Sequence, residues 1–308
     1  MISVALLGRL GLMDPMKAPL ARELPGVTFA SWPEPAAEDA ELAVCWKPEA
    51  GALAAMPKLK LIHSIAAGVD NILSDPTVPD VPLCRIVDPG ITSAMTEFVL
   101  WATLYFHRDF DRVISHARDG LWRRYDQCAA GDCKVGILGL GALGTDAAVR
   151  LAGLGFSVSA WSRSPKLVAG VKTFSGLDAL DDFLSETDIL ISLLPLTPST
   201  VGLLDAARLR RLPKGAALIL CSRGEHLIVD DMVALIRRGH LRGAVLDVFE
   251  QEPLPADHPL WREPGVLITP HMAAIASWEV IAQQVAENAR RLLRGEALLN
   301  VVDRARGY

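Results

Sequence analysis

The sequence predicts an α/β protein made of two doubly wound parallel-sheet domains with a cleft between them. Three observations carry this expectation. Short apolar runs alternate with helically spaced apolar residues, a glycine-rich turn interrupts that alternation near the middle, and 308 residues suffice for about two domains.

Five strands are expected ahead of the glycine turn, over 2–7, 27–31, 42–46, 59–65 and 83–87. A long helical segment should follow from about 92 to 118, because Val99, Leu100, Thr103, Leu104 and Phe110 recur at near-helical spacing. It reads as a spacer between domains. A second strand set is expected over 135–138, 157–161, 189–194, 217–220, 244–246 and 266–269, with helices between most of them. The last helix, about 277 to 294, carries Val280, Ile281, Val285, Ala289 and Leu292 on one face. It ends beyond the second sheet, so it should cross back and return the C-terminus to the first domain. The proline-rich stretches 31–35 and 75–82 read as loops.

Composition excludes several function classes. Apolar residues make up 51% of the chain and charged residues 22%, which is globular usage and not that of a disordered or disulfide-stapled chain. Lys and Arg total 31 against 36 Asp and Glu, a net charge of −5, so no diffuse positive field exists to hold nucleic acid. The opening MISVALLGRLGLMDP has no basic leader and its apolar run breaks at Gly8-Arg9, so it reads as a strand rather than a secretion signal. No apolar stretch reaches the roughly 18 residues of a membrane span. Five scattered cysteines, Cys45, Cys84, Cys128, Cys133 and Cys221, suit reduced thiols in a cytoplasmic protein. Cys128 and Cys133 are close, but no second pair completes a zinc site, and no metal is expected.

The turn lies in KVGILGLGALGTDAAVRLAGLG, where Gly139, Gly141 and Gly144 form G-x-G-x-x-G. The bare pattern is weak, and its context is what strengthens it. A strand precedes the first glycine, the third opens a helix with Ala147, Val149, Leu151 and Leu154, and another strand comes next, as the pyrophosphate seat of a Rossmann-like domain requires. That assigns 101–274 to dinucleotide binding and leaves 1–100 with 275–308 as a discontinuous substrate domain. An NAD site wants an acid at the end of the next strand to accept the ribose hydroxyls. None stands anywhere from 147 to 177, and the strand runs instead into Trp161-Ser162-Arg163-Ser164-Pro165-Lys166. An arginine flanked by hydroxyls suits a 2′-phosphate, so NADP(H) is expected, with NAD(H) the weaker alternative; a solvated basic turn is the bland reading.

Single polar residues follow apolar strands further on. Arg223 closes ALILCSRG, Glu252 closes AVLDVFEQEP, and His271 closes VLITPH. Reduction of a 2-keto acid needs a cation to grip the carboxylate and polarise the carbonyl, a proton donor, and a group that keeps that donor charged. These three residue types supply those roles. Singly, each has an ordinary alternative: a structural histidine, a turn glutamate, a surface ion pair.

The ordered motifs LLPLTPST at 193–200, SRG at 222–224, DVFEQEPLP at 247–255 and TPHMAA at 269–274, together with the glycine pattern, resemble the D-2-hydroxyacid dehydrogenases over essentially the whole chain. WSRS at 161–164, GLW at 120–122 and the terminal VDRARGY resemble the A-type glyoxylate/hydroxypyruvate reductase branch. The resemblance implies that Arg223 binds substrate, His271 is the acid/base and Glu252 its partner. It implies that backbone amides of Ala67 and Gly68 hold the carboxylate with Arg223 and that Trp46 lines the substrate side. On the cofactor it places Gly139, Gly141, Ala142, Leu143 and Gly144 at the phosphates and Ser162, Arg163 and Ser164 at the ribose. It implies that Asp247 and the Cys221 carbonyl meet the nicotinamide amide, that Pro195 and Thr200 lie along the cofactor, and that Ser222 and Ala273 belong to the same cofactor-binding set. Trp46 and Trp122 read equally as packing residues, and Gly68 as a turn residue. One departure is Leu220, where many relatives carry Asn. The implied function is an NADPH-preferring reductase of a small 2-keto acid, acting as a homodimer. The alternatives are a reductase of larger 2-keto acids, or a nucleotide-sensing, corepressor-like binding protein on the same fold.

Overall fold

The computed structural model describes residues 2–8 and 11–305. Arg9, and the last three residues of VDRARGY, lie outside the described residues. The chain divides into two compact units, Met1–Ile91 with Ile275–Tyr308, and Thr92–Ala274. Among the described residues no helix is long and apolar enough to cross a membrane.

Among the described residues the first unit holds five parallel strands: β1 (Ser3–Leu7), β2 (Thr28–Ser31), β3 (Leu42–Cys45), β4 (Leu61–Ser64) and β5 (Leu83–Cys84), in the order β2-β1-β3-β4-β5. Every residue of β3 and β4 is buried, which explains why β3, LAVC, reads as a continuous apolar run rather than an alternating one, while β4, LIHS, buries two polar residues as well. The strand order reverses between β1 and β3, and Trp46 stands there, its N–H bonded to the Leu7 carbonyl at 3.0 Å. β5 is shorter than the expected 83–87. Beyond Cys84 the chain pairs with the C-terminal segment instead, Arg85 N donating to Asn300 O and Val302 N to Leu83 O.

That segment arrives through the helix Trp278–Arg294, which begins at the expected place because Ser277 Oγ accepts the Val280 N–H, and stops at Gly295 with φ +68°. Its buried face is Ile281, Ala282, Val285, Ala286, Asn288 and Ala289. Residues from Ile275 on thus cluster with the first unit.

The second unit holds seven parallel strands: β6 (Lys134–Leu138), β7 (Ser157–Ser162), β8 (Lys172–Ser175), β9 (Ile189–Ser192), β10 (Ala216–Leu220), β11 (Leu241–Leu246) and β12 (Val266–Ile268). Their order is β12-β11-β10-β9-β6-β7-β8. Side chains alternate between two buried faces: Leu138, Leu190, Leu218 and Leu246 pack on one, Ile137, Ile191, Ile219 and Val245 on the other. The order reverses between β6 and β9, and a ligand of such a sheet binds beyond the carboxyl ends of the strands at that reversal. β8 was not expected from the sequence. It is a half-exposed edge strand, KTFS, with no apolar run to mark it, held by its register on Ser159–Ser162 of β7.

The single helix expected over 92–118 is two helices, Pro89–His107 and Phe110–Arg118. Asp109 takes a left-handed φ of +57° between them. Arg242, on β11, is the reason: its guanidinium binds Asp109 at 2.6 Å and Asp111 through Nε at 2.7 Å, drawing both carboxylates inward where a straight helix would spread them. The buried stripe is also different, consisting of Met95, Val99, Ala102, Thr103 and Phe106, while Leu104 and Phe110 are exposed. Similarly, the helix Ala142–Gly153 begins before Gly144 and buries Ala147, Ala148 and Leu151, leaving Val149 and Leu154 exposed.

Candidate active site

At the reversal of the second sheet the glycine turn is shaped by two close approaches and one opening. Gly139 has φ +104°, and a Cβ there would lie 2.8 Å from the Leu193 carbonyl of the loop after β9. A Cβ on Gly144 would meet Gly139 O at 1.8 Å. At Gly141 nothing lies within 4 Å. Two glycines thus let the turn pack on itself and its neighbour, and the third keeps an open space at the N-terminus of Ala142–Gly153, beside the exposed Ala142 and half-buried Leu143. Free N–H groups and a positive dipole end beside such a space fit a pyrophosphate.

β7 ends in Trp161, anchored through Nε1 to Gly176 O at 2.8 Å, and Ser162, whose hydroxyl donates to Ser164 O at 2.7 Å. These two bonds turn Arg163 and Ser164 into solvent. Lys166, to which the sequence reading gave no role, donates from Nζ to Leu140 O, inside the glycine turn, at 2.5 Å. Its only signal was its place in the WSRSPK run. With no carboxylate between 147 and 177, this end of the sheet fits a phosphorylated ribose.

After β9, Thr200 Oγ1 donates to Pro195 O at 2.9 Å and closes the loop 193–200. After β10 come Cys221, Ser222 and Arg223, whose Nη1 donates to Ser222 O at 2.7 Å. Burial pushes the Cys221 thiol up, with Asp247 adding to the effect, so it stays protonated, and its Sγ donates to Ser192 O at 3.9 Å. Gly224 has a tight requirement: a Cβ would lie 2.0 Å from Phe249 C. The loop carrying Arg223 therefore packs backbone to backbone on the loop carrying Glu252.

Glu252 and His271 meet directly. The carboxylate accepts from His271 Nδ1 on Oε2 at 2.8 Å and from Phe249 N on Oε1 at 3.0 Å. His271 has φ +51°, a conformation uncommon for a side-chain-bearing residue, held by its N–H bond to Asp247 O at 2.8 Å. Asp247 is buried and takes Thr269 Oγ1, Met272 N and Ala273 N on its carboxylate, so it builds the loop that presents His271. With Nδ1 bonded to Glu252, Nε2 is the nitrogen through which the ring can exchange a proton with a substrate.

In the first unit Ala67 and Gly68 lie in the loop after β4, partly exposed. Ser64 Oγ accepts Ala66 N and donates to Gly68 O, and Arg85 Nη1 donates to Ala67 O. Behind them the buried His63 donates from Nδ1 to Ser64 O at 2.8 Å and accepts Asn288 Nδ2 on Nε2 at 3.2 Å. Trp46 is half-buried and Trp122 is 92% exposed, so Trp122 is not a core residue of this chain.

An open phosphate seat, an acid-free ribose end and a carboxylate-bound histidine on one sheet edge define a dinucleotide-dependent oxidoreductase. Residues 100–273 match the description "D-isomer specific 2-hydroxyacid dehydrogenase, NAD binding domain". The glyoxylate/hydroxypyruvate reductase A of Serratia proteamaculans (strain 568) is 39% identical over 297 residues, covering 94% of this chain and 95% of that protein. A D-isomer specific 2-hydroxyacid dehydrogenase from Xanthobacter autotrophicus Py2, crystallised with NADPH and MES, superposes with a TM-score of 0.90 at 40% identity, covering 100% of this chain and 99% of that one. The NADPH-dependent glyoxylate/hydroxypyruvate reductase of Sinorhizobium meliloti, crystallised with NADP and sulfate, gives 0.91 at 36%, covering 100% of both. The chain belongs to the D-isomer specific 2-hydroxyacid dehydrogenase family. It is an NAD(P)-dependent 2-hydroxyacid dehydrogenase.

Proposed function

We propose that the protein is an NADPH-preferring reductase of a short 2-keto acid, glyoxylate or hydroxypyruvate, yielding the 2-hydroxy acid. The observation that carries the reaction is the Glu252–His271 hydrogen bond at 2.8 Å beside the loop of Arg223. The names of the Serratia and Sinorhizobium relatives support the substrate, and the acid-free WSRSPK turn supports the cofactor.

The nicotinamide cofactor supplies the hydride when bound. Arg223 binds the substrate carboxylate and polarises the adjacent carbonyl, lowering the cost of the charge that develops on its oxygen. His271 delivers a proton from Nε2 to that oxygen, and Glu252 holds the ring by Nδ1 and balances its positive charge. Ala67 and Gly68 supply backbone amides to the same carboxylate, and Trp46 limits the length of the pocket. Gly139, Gly141, Ala142, Leu143 and Gly144 seat the pyrophosphate, with Ser162, Arg163 and Ser164 at the 2′-phosphate. Asp247 and the Cys221 carbonyl meet the nicotinamide amide, with Pro195, Thr200, Ser222 and Ala273 along the cofactor.

A panel of small 2-keto acids assayed with NADPH and with NADH tests this reading. Turnover highest with NADPH and glyoxylate or hydroxypyruvate is expected. Tight NADPH binding without turnover of any keto acid would instead favour a nucleotide-sensing protein.

A further inference from the structure

Behind the strand ends of the second sheet runs a line of hydrogen bonds that joins Ser222 to two side chains given no part in the reaction, His226 and Ser192. His226 is fully buried, with Nε2 3.3 Å from Pro195 O and Nδ1 2.8 Å from Ser222 Oγ. Ser222 Oγ lies in turn 3.0 Å from Ser192 Oγ, at the end of β9. A carbonyl only accepts, so Nε2 carries a hydrogen. In the neutral ring Nδ1 then accepts, Ser222 must donate to it, and Ser192 donates to Ser222. One fixed tautomer sets the direction of the whole line.

The two ends of this line are functional loops. Pro195 O, which takes His226 Nε2, also takes Thr200 Oγ1, so the imidazole helps close the loop 193–200. Ser222 directly precedes Arg223, and its carbonyl accepts Arg223 Nη1. A buried imidazole costs desolvation that an aliphatic side chain of similar size would not, and what it gains here is two directed bonds to two different strand ends.

The geometry points to His226 as a positioning residue: through Ser222 it fixes the peptide that orients the Arg223 guanidinium, and through Pro195 it fixes the loop on the cofactor side. This rests on the substrate-binding role proposed for Arg223. His226 acts only through its neighbours and touches neither reactant.

Two substitutions separate its arms, because an Asn amide overlays Nδ1 and a Gln amide overlays Nε2. His226→Asn keeps an acceptor for Ser222 and loses the donor to Pro195; His226→Gln does the reverse. The expected result is a keto-acid KM raised about tenfold in His226→Gln and in Ser222→Ala, with the double variant no worse than either. His226→Asn should hold that KM within about twofold and weaken NADPH binding instead, measured as a Kd by calorimetry. Equal losses in Asn and Gln that follow the fall in Tm, or additive losses in the double variant, overturn the proposal. Nitrogen-15 NMR of the protein without ligand gives a readout independent of turnover. Nδ1 should show as the unprotonated nitrogen, and the Arg223 side-chain resonance should move in His226→Gln but not in His226→Asn. A hydrogen on Nδ1, or an Arg223 signal unmoved by His226→Gln, overturns it as well. A parent protein inert toward every 2-keto acid would defeat the reductase reading alone, with the NMR result still deciding the role of His226.

Discussion

Nδ1 of His271 lies 2.8 Å from Oε2 of Glu252, and the other oxygen of that carboxylate is taken by the Phe249 amide, so the glutamate cannot swing away without losing two bonds. The ring is fixed in orientation and sits against a negative charge before any substrate arrives. Glu252→Gln keeps the size and removes the charge that compensates the imidazolium. It should lower kcat for reduction by about a hundredfold with KM for NADPH unchanged. Steady-state assays over a range of keto-acid concentrations check this; an unaltered kcat would remove Glu252 from the mechanism.

Arg163 and Lys166 leave the same turn in different directions, one into solvent and one onto the glycine turn. Arg163→Ala should therefore raise KM for NADPH about tenfold and change KM for NADH far less, since the proposed role of its charge is toward a 2′-phosphate that NADH lacks. Lys166→Ala should weaken both cofactors, because it releases the Leu140 carbonyl in the turn that both would use. Parallel titrations with the two nucleotides distinguish these outcomes, and an Arg163→Ala enzyme with the parent's NADPH preference would contradict the first.

Trp46 stands at the strand-order reversal of the first sheet, with its backbone tied to Leu7. If its indole limits the pocket, Trp46→Ala should improve kcat/KM for longer 2-keto acids relative to glyoxylate. The comparison needs only two substrates of different length. A ratio that stays put assigns Trp46 to packing.

His63 is held down to about 4 from an ordinary 6.5 by burial, which disfavours the imidazolium. The folded value lies below the unfolded one, so the unfolded chain binds more protons between these values. Stability is fully present above 6.5 and falls as pH drops from 6.5 to 4, by on the order of 3 kcal/mol, with no further loss from this group below that. His107, lowered by burial and by Arg108, adds a loss of the same sign. Asp75, Glu186 and Glu287 are held below their ordinary 3.8 or 4.5, so their losses come at more acid pH. Urea titrations at several pH values should show a smaller slope between 4 and 6.5 for His63→Gln than for the parent. Identical slopes would mean that His63 is not the group responsible.

The sequence by itself determined the alternation of strands and helices, the glycine turn, the acid-free WSRSPK run, and the polar residue in the loop after each of three apolar strands. Each of these is a local pattern: burial on both faces of a parallel strand leaves a continuous apolar run, and a turn that must pack against its neighbour leaves glycines. Tertiary structure decided the rest. The break at Asp109 depends on Arg242, 133 positions away, and β8 exists because β7 offers it an edge. Ser192, Ser222 and His226 meet only where two strand ends come side by side, and His63 finds Asn288 across 225 positions. A hydrogen bond between distant residues imposes no period on either segment, so nothing in the local pattern announces it, and only the folded sheet brings its donor and acceptor within reach.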